Sequence, residues 1–409
     1  MDFEPWWLIA VPVLFGLGWI AARVDIRQML SETRSLPNSY FKGLNFILNE
    51  EPDRAIDAFV EVAKLDPETT ELHFALGSLF RRRGEVERAI RVHQSLLSRA
   101  DLPQAEREQA LHEIAHDYLK AGMLDRAEEA FLQVEHTRFS VSAVRALIRI
   151  YESEHDWPRA IEAVKRLQGL VDEPVPQLVH YQCEQALNAL LQKPPAIEAA
   201  ESALDAAENA AKAMKEQLKG AAYRARIAIL RAALCRAEGE LKQERIYLES
   251  VFSDAPDYAG LVATDLLENY RQSGQADQGL AVLKSHYARY PSLDLFNLVF
   301  RELRSLQGYG PAWAFAREAL RSKPSLLGLD RLLEAELAVD NRAQADSSGA
   351  PAVNEADLSL LRSLIHKHSE RLDRYACSQC GFEARNYYWQ CPGCNAWETY
   401  PPRRLEEIR

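Results

Sequence analysis

Basic charge is in deficit. The 409 residues include 49 lysines and arginines against 60 aspartates and glutamates, a formal net charge of −11, and no long basic stripe runs through them. Gripping nucleic acid along a surface needs such a stripe, so nucleic acid is not an expected partner. Aromatics are only 9% of the chain, with 18 glycines and 19 prolines. That poverty argues against a turn-rich β sandwich and suits stacked amphipathic helices. There is no phosphate-cradling glycine loop, no G-x-S-x-G elbow, and no pair of carboxylates in a context that suggests acid–base work. Nothing in these absences points to an enzyme. Cysteine is scarce and uneven. Cys183 and Cys235 stand alone in helical stretches, while Cys377, Cys380, Cys391 and Cys394 crowd into eighteen residues near the C-terminus. A secreted disulfide scaffold spreads its cysteines through a small domain. The pattern here fits a reducing compartment, one metal site and two packed thiols.

One long hydrophobic run is present. Residues 5–22 read PWWLIAVPVLFGLGWIAA, without a charge. Eighteen helical residues span about 27 Å, close to the ~30 Å hydrocarbon core of a bilayer. Trp6, Trp7 and Trp19 lie near its two ends, where indole rings favour the headgroup region. A cleaved signal peptide would carry positive charge before the run, but Asp2 and Glu4 precede it and Arg23, Arg27 and Arg34 follow it. The expectation is a transmembrane anchor over 1–27, with the bulk of the chain facing the cytoplasm.

An internal period comes next. Gly43 and Gly77, Phe46 and Phe80, and Ala55 and Ala89 are each 34 residues apart. A small residue, an aromatic three later, a turn and then an alanine make the tetratricopeptide (TPR) pattern. The small residue lets two helices approach, and the aromatic and alanine fill the seam with the next repeat. Tyr118, Gly122, Ala127 and Phe131 mark a third unit, and Tyr151 and Ala160 a fourth. A weaker fifth covers about 176–212, with Pro194 and Pro195 at its turn. Gly239 and Pro256, then Tyr270, Gly274 and Pro291, then Ala312, Ala319 and Pro324 mark three more. The prolines are expected to stop second helices. The fold class expected is therefore all-α: a TPR-type solenoid of about eight hairpins over 36–340. Residues 341–357 are small and polar and are expected to be a linker, followed by a C-terminal helix over 358–374. A solenoid of this kind offers a concave groove to partners, although the sequence assigns no groove residues.

The four clustered cysteines form C-x-x-C, ten residues, C-x-x-C, within a domain expected over 375–400. Two such knuckles supply four thiolates to a tetrahedral ion. Gly381 and Gly393 are expected to let the backbone turn so that amide hydrogens face sulfur. Tyr387, Tyr388, Trp389 and Trp397 are available to cover the site. A closed four-thiolate shell makes the ion structural, not hydrolytic. The short gap is common in zinc ribbons; the Cys-Pro-Gly-Cys turn and its aromatics resemble rubredoxin, which holds iron. Zinc is expected, with iron as the alternative.

His112, Glu113 and His116 fall in the string HEIAH, which matches the H-E-x-x-H of zinc proteases. Ala115 and Tyr118 occupy the small and aromatic TPR positions, however, so this helix is expected to be solenoid wall. His366 and His368 are expected to face solvent.

An N-terminal anchor, a TPR array and a C-terminal rubredoxin-like knuckle in this order resemble the bacterial lipopolysaccharide assembly protein B family. The likeness is strongest at GLNFILNEEPDRAIDAF, LGSLFRRRGEVERAIRVHQ and CSQCGFEARNYYWQCPGCNAW, and weakest at 190–220 and near 345. The resemblance implies a non-catalytic regulator of lipopolysaccharide synthesis at the inner membrane. It implies an adaptor for the membrane-anchored protease FtsH that promotes degradation of the deacetylase LpxC. It also implies contact with other lipopolysaccharide assembly proteins and metal ligation by Cys377, Cys380, Cys391 and Cys394. The assembly state, a homodimer included, is left open. Competing readings are a TPR assembly factor for another envelope complex, a rubredoxin-like electron-transfer module, and a zinc ribbon that reads nucleic acid.

Overall fold

The structure is a computed structural model. It describes residues 51–65, 69–171, 174–214, 220–343 and 355–408, with isolated positions before residue 50. Trp6 and Trp7 and most of the hydrophobic run lie outside the described residues. Val13, Phe15 and Trp19 are described and exposed. Among the described residues no helix is long and apolar enough to cross a membrane.

Two compact units divide the chain, Met1–Ile150 and Tyr151–Arg409. The first contains α1 (Pro52–Leu65), α2 (Thr70–Arg83), α3 (Val86–Leu97), α4 (Gln104–Lys120), α5 (Leu124–Gln133) and most of α6 (Ser140–Ser153). Loops of a few residues make consecutive helices antiparallel neighbours, and α2 packs on α3 and α4 on α5. The predicted register holds. Ala55 and Ala89 are fully buried and Phe80 is nearly so, in one cluster with Ile56, Phe59, Leu72, Leu76 and Leu79. The 34-residue glycines explain themselves in the same way twice. A Cβ on Gly43 would lie 2.8 Å from the Phe59 ring, and one on Gly77 would lie 2.4 Å from the ring of His93. Phe59 and His93 are themselves 34 residues apart, so one repeat places a phenylalanine where the next places a buried imidazole. Gly84 ends α2 at φ +81, the left-handed cap that glycine adopts without a Cβ penalty.

The second unit holds α7 (Trp157–Leu170), α8 (Gln177–Leu190), α9 (Ile197–Ala213), α10 (Ala222–Glu238), α11 (Leu241–Asp254), α12 (Ala259–Gln272), α13 (Ala276–Arg289), α14 (Leu293–Gln307) and α15 (Tyr309–Ser322). The pairs α8–α9, α10–α11, α12–α13 and α14–α15 pack in turn. Pro256, Pro291 and Pro324 each lie two positions past the last residue of the second helix of a pair. Buried residues from Ala225 to Ala335 form one continuous core. Then α16 (Leu326–Ala343) packs on α15, and α17 (Glu355–Leu372) packs on α16. The expected linker is shorter at both ends: Arg342 and Ala343 continue α16, and Glu355 to Asp357 begin α17. Arginine and alanine are strong helix formers, so a polar composition alone did not end the helix. Residues 344–354 lie outside the described residues. His366 is exposed as expected, yet its Nδ1 lies 3.1 Å from Oδ2 of the fully buried Asp330.

The chain closes with two short antiparallel strands, β1 (Tyr375–Ala376) and β2 (Glu383–Ala384), paired Tyr375 to Ala384 and Ala376 to Glu383, and a last turn of helix, α18 (Leu405–Ile408).

Candidate metal centre

The two cysteine turns are built alike. In the first, the amide of Gly381 donates to the carbonyl of Cys377 at 2.9 Å, and Cys377 N–H donates to Phe382 O at 3.0 Å. In the second, Asn395 N–H donates to Cys391 O at 2.8 Å, and Cys391 N–H donates to Ala396 O at 2.9 Å. Each turn needs a left-handed residue four places after its first cysteine. Gly381 supplies it at φ +75 and Asn395 at φ +57, the two residue types that visit this region most readily. The expectation for Gly393, an amide hydrogen that faces sulfur, holds. Gly393 is not the left-handed residue; its amide faces Cys391 Sγ at 3.4 Å, and a Cβ would lie 3.2 Å from Phe382.

These turns bring all four sulfurs within 4.8 Å of one another. Cys377 Sγ lies 3.8 Å from Cys394 Sγ, and Cys380 Sγ lies 3.6 Å from Cys391 Sγ. A tetrahedron with bonds of about 2.3 Å to sulfur has edges of about 3.8 Å, so the donor set fits one four-coordinate ion. The electrostatics ask for a cation. Burial opposes ionisation of Cys377, but the Thr399 hydroxyl 3.2 Å away and the amides of Cys380 and Gln379 outweigh it and bring the thiol down to about 6. At Cys394 an amide hydrogen bond from Ala396 favours the thiolate, yet burial and the three neighbouring sulfurs push it up to about 12. Four thiolates in one place repel each other until a positive ion is shared between them.

The knuckle is clamped to the helices of its own unit. Trp397 stacks on the His180 ring of α8, centroids 4.9 Å apart and planes within 8°, and its indole N–H donates to Glu152. His180 is buried. Its Nδ1 accepts from Arg226 of α10 at 2.9 Å, so its proton is on Nε2, which donates to Glu398 of the knuckle at 2.8 Å. Burial lowers the pKa of His180, in keeping with that neutral ring. Arg226, 2% exposed, also pairs with Glu184 and lies over both Trp397 and Trp389, at 5.2 and 5.5 Å. Trp389 stacks on Tyr258 with centroids 5.7 Å apart. On the other side Tyr375 donates to Asp294 of α14 at 2.7 Å, and Arg404 lies 4.0 Å over the Tyr375 ring while pairing with the same aspartate. Tyr388, expected among the covering aromatics, is exposed.

Sequence reasoning missed this clamp. Trp397 and Trp389 were visible as aromatics, but no periodic signal links His180 or Arg226 to residues some two hundred positions away. The HEIAH string lies on α4, as its TPR register requires, with Ala115 fully buried. Arg81 holds Glu113 at 2.6 Å, which removes it as a free base. Cys183 and Cys235 are buried thiols.

Fold and site together define a class: a tetratricopeptide-type helical scaffold that carries a four-cysteine ribbon. Residues 72–108 match the tetratricopeptide repeat, and residues 375–402 match the rubredoxin metal binding domain. The chain belongs to the lipopolysaccharide assembly protein B family. It is 30% identical over 399 residues to lipopolysaccharide assembly protein B of Escherichia coli strain K12, covering 97% of both chains. It is 25% identical over 413 residues to the protein of that name from Haemophilus influenzae, covering 98% of both. A tetratricopeptide repeat protein from Parabacteroides merdae aligns with 73% of this chain and 98% of its own at 12% identity; its TM-score of 0.31 supports no inference.

Proposed function

We propose that this protein is a non-enzymatic scaffold in lipopolysaccharide assembly, whose metal-centred knuckle fixes the shape of the helical array that receives partner proteins. One observation carries this reading: the four-sulfur cluster is seated in the helix wall through Trp397, Glu398 and Arg404 instead of standing free as a separate module. Cys377, Cys380, Cys391 and Cys394 hold one zinc or iron ion, which supplies charge neutralisation and a rigid crosslink between the two turns. A colourless purified protein with one zinc per chain supports zinc. A reversible visible band would favour iron and the electron-transfer reading.

In the finer version, residues 5–22 tether the scaffold to the inner membrane with the helices in the cytoplasm. That tether raises its effective concentration beside a membrane-bound FtsH-type protease. The array then presents an LpxC-type deacetylase for degradation and touches other lipopolysaccharide assembly proteins. The uncharged run supports the tether, the names of the relatives support a role in lipopolysaccharide assembly, and the protease and deacetylase are what the family resemblance implies. Crosslinking the intact membrane form, followed by mass spectrometry of the captured proteins, tests it. Recovery of the protease and the deacetylase is expected; partners drawn only from another envelope system would replace it with a different assembly role. Changing all four cysteines to serine should slow deacetylase turnover in cells, and unchanged turnover would overturn the link between metal and delivery.

A further inference from the structure

The HEIAH helix carries a feature that repeat packing does not account for. His112 and His116 are one turn apart on α4, and their Nε2 atoms lie 3.2 Å from each other. The rings are held in place by phenylalanines. Phe139 stacks on His112 with centroids 4.4 Å apart, and Phe131 meets His116 edge-on at 5.0 Å. The Ser142 hydroxyl adds a third donor atom, 2.9 Å from His112 Nε2. His112 Nδ1 is buried without a hydrogen-bond partner, and Oε1 of Glu113 is 3.9 Å from it, beyond bonding range. Two neutral rings facing through Nε2 hold at most one proton between them, and every placement leaves His112 Nδ1 without a hydrogen-bond partner. A proton on Nε2 of His112 leaves its bare Nδ1 lone pair buried and facing a carboxylate. A proton on Nδ1 points at that carboxylate from too far away.

A metal ion would use both facing lone pairs at once. With bonds of about 2.0–2.1 Å to each nitrogen, a tetrahedral ion spans two donors about 3.3–3.4 Å apart. Both Nε2 atoms become ligands and both protons sit on Nδ1, where that of His112 faces the Glu113 carboxylate 3.9 Å away, an electrostatic support behind a metal-bound imidazole and not a hydrogen bond. Burial, with His116 and Arg81 adding to it, keeps His112 neutral down to about pH 4, so the ring is in its ligand form at neutral pH. We propose that His112 and His116 form a second metal site in this chain, taking a borderline divalent transition ion such as nickel or zinc through their Nε2 atoms. Imidazole pairs select such ions over magnesium or calcium, which want oxygen. The site does no proteolysis. Among the described residues only the four cysteines form a group of three or more side-chain ligands, and Glu113 is tied to Arg81. Water, or the Ser142 hydroxyl, completes the shell.

The test is calorimetric titration of the untagged full-length chain, its cysteine site already loaded, with nickel chloride. One further equivalent should bind the natural chain. His116→Gln should weaken that binding at least tenfold, and Glu113→Gln about tenfold as the loss of a supporting carboxylate. No uptake beyond the cysteine site, or equal uptake by His116→Gln, would overturn the proposal. A measurement without any variant guards against misfolding. Nickel-soaked crystals of the natural chain should show an anomalous peak between the two Nε2 atoms, and a map without one sinks the site.

Discussion

Each unit buries an imidazole in a cluster with an arginine and a carboxylate, and the two clusters are wired differently. In the first, His93 donates through Nδ1 to Asp117 Oδ2 at 2.6 Å, and Arg81 donates to Oδ1 of the same aspartate at 2.8 Å. All three side chains come from α2, α3 and α4, within 36 residues of sequence. In the second, Arg226, His180 and Glu398 form a chain of bonds whose ends come from the helix wall and the C-terminal knuckle, 218 residues apart at the His180–Glu398 step. The first cluster repairs a repeat: where one unit has Phe59, the next has His93, and a buried imidazole needs a partner. The second ties a separate module to the array. The same chemistry thus serves local packing in one place and long-range docking in the other.

Several measurements would break or sharpen that contrast. The largest effect should come from taking away the metal. Chelation, or serine at all four cysteines, withdraws on the order of 10 kcal/mol from a site of this class. Hydrogen exchange should show protection lost across 375–402 while helices of the first unit keep theirs. Equal loss in both units would erase the distinction. Arg226→Ala comes next. It strands Glu184 and unsupported His180 at the seam, and breaking a buried ion pair from one side costs about 3–5 kcal/mol. The knuckle should loosen in the same exchange experiment even with its metal in place.

Asp117→Asn is the matching break in the first unit. The amide keeps one acceptor but turns an NH2 toward a second donor, a loss of about 2–3 kcal/mol. Urea melts should show the drop, and the knuckle's exchange should not change. Gly77→Ala is smaller, about 1–3 kcal/mol, because the new methyl presses on His93 and the ring must shift away from Asp117. Acid should act gradually, its effect spread over more than two pH units. The folded chain keeps His112 neutral to about pH 4, whereas the unfolded chain takes up the proton near 6.5. Unfolding therefore binds protons as pH falls, and stability present above 6.5 is lost between 6.5 and about 4, by at most about 1.4 kcal/mol per pH unit. Arg81, Glu113 and His116 face that ring. Amide exchange in α4 at pH 7 and pH 5 reads the effect.

How far the sequence could be read follows the same contrast. The 34-residue register announced Gly77, Phe80 and Ala89 and the seams they fill, because each repeat meets only its neighbours. The spacing of Cys377, Cys380, Cys391 and Cys394 announced a four-sulfur cluster, because both turns are local. The place of Asn395 as the second left-handed residue is legible too, once Cys391 is aligned with Cys377. What was not legible is tertiary. Nothing periodic says that Trp397 will lie on His180 or that Arg226 will lie over two tryptophans, since that docking joins residues of α8, α10 and the knuckle that are far apart in sequence. The partnership of His93 with Asp117 lies between these extremes, a polar residue at an apolar repeat position being a sequence-level request for a partner.

The chain's last turn changes what loss of the ion would mean. Glu407 accepts from the first amide of α14, Leu293 N–H, at 3.1 Å, and Glu406 accepts from Leu326 N–H at the start of α16. Leu405 N–H donates to Arg374 O at 2.7 Å, closing the neck of the cysteine loop without help from sulfur. An emptied loop is therefore a bight pinched at its base instead of a free tail. Its sulfurs stay in one another's neighbourhood, and the entropy of regathering them is that of a short closed ring, where each doubling of length adds only about 0.6 kcal/mol. Regathering the sulfurs should then be a first-order event within a single molecule, independent of protein concentration, and only capture of the ion should depend on how much free ion is present.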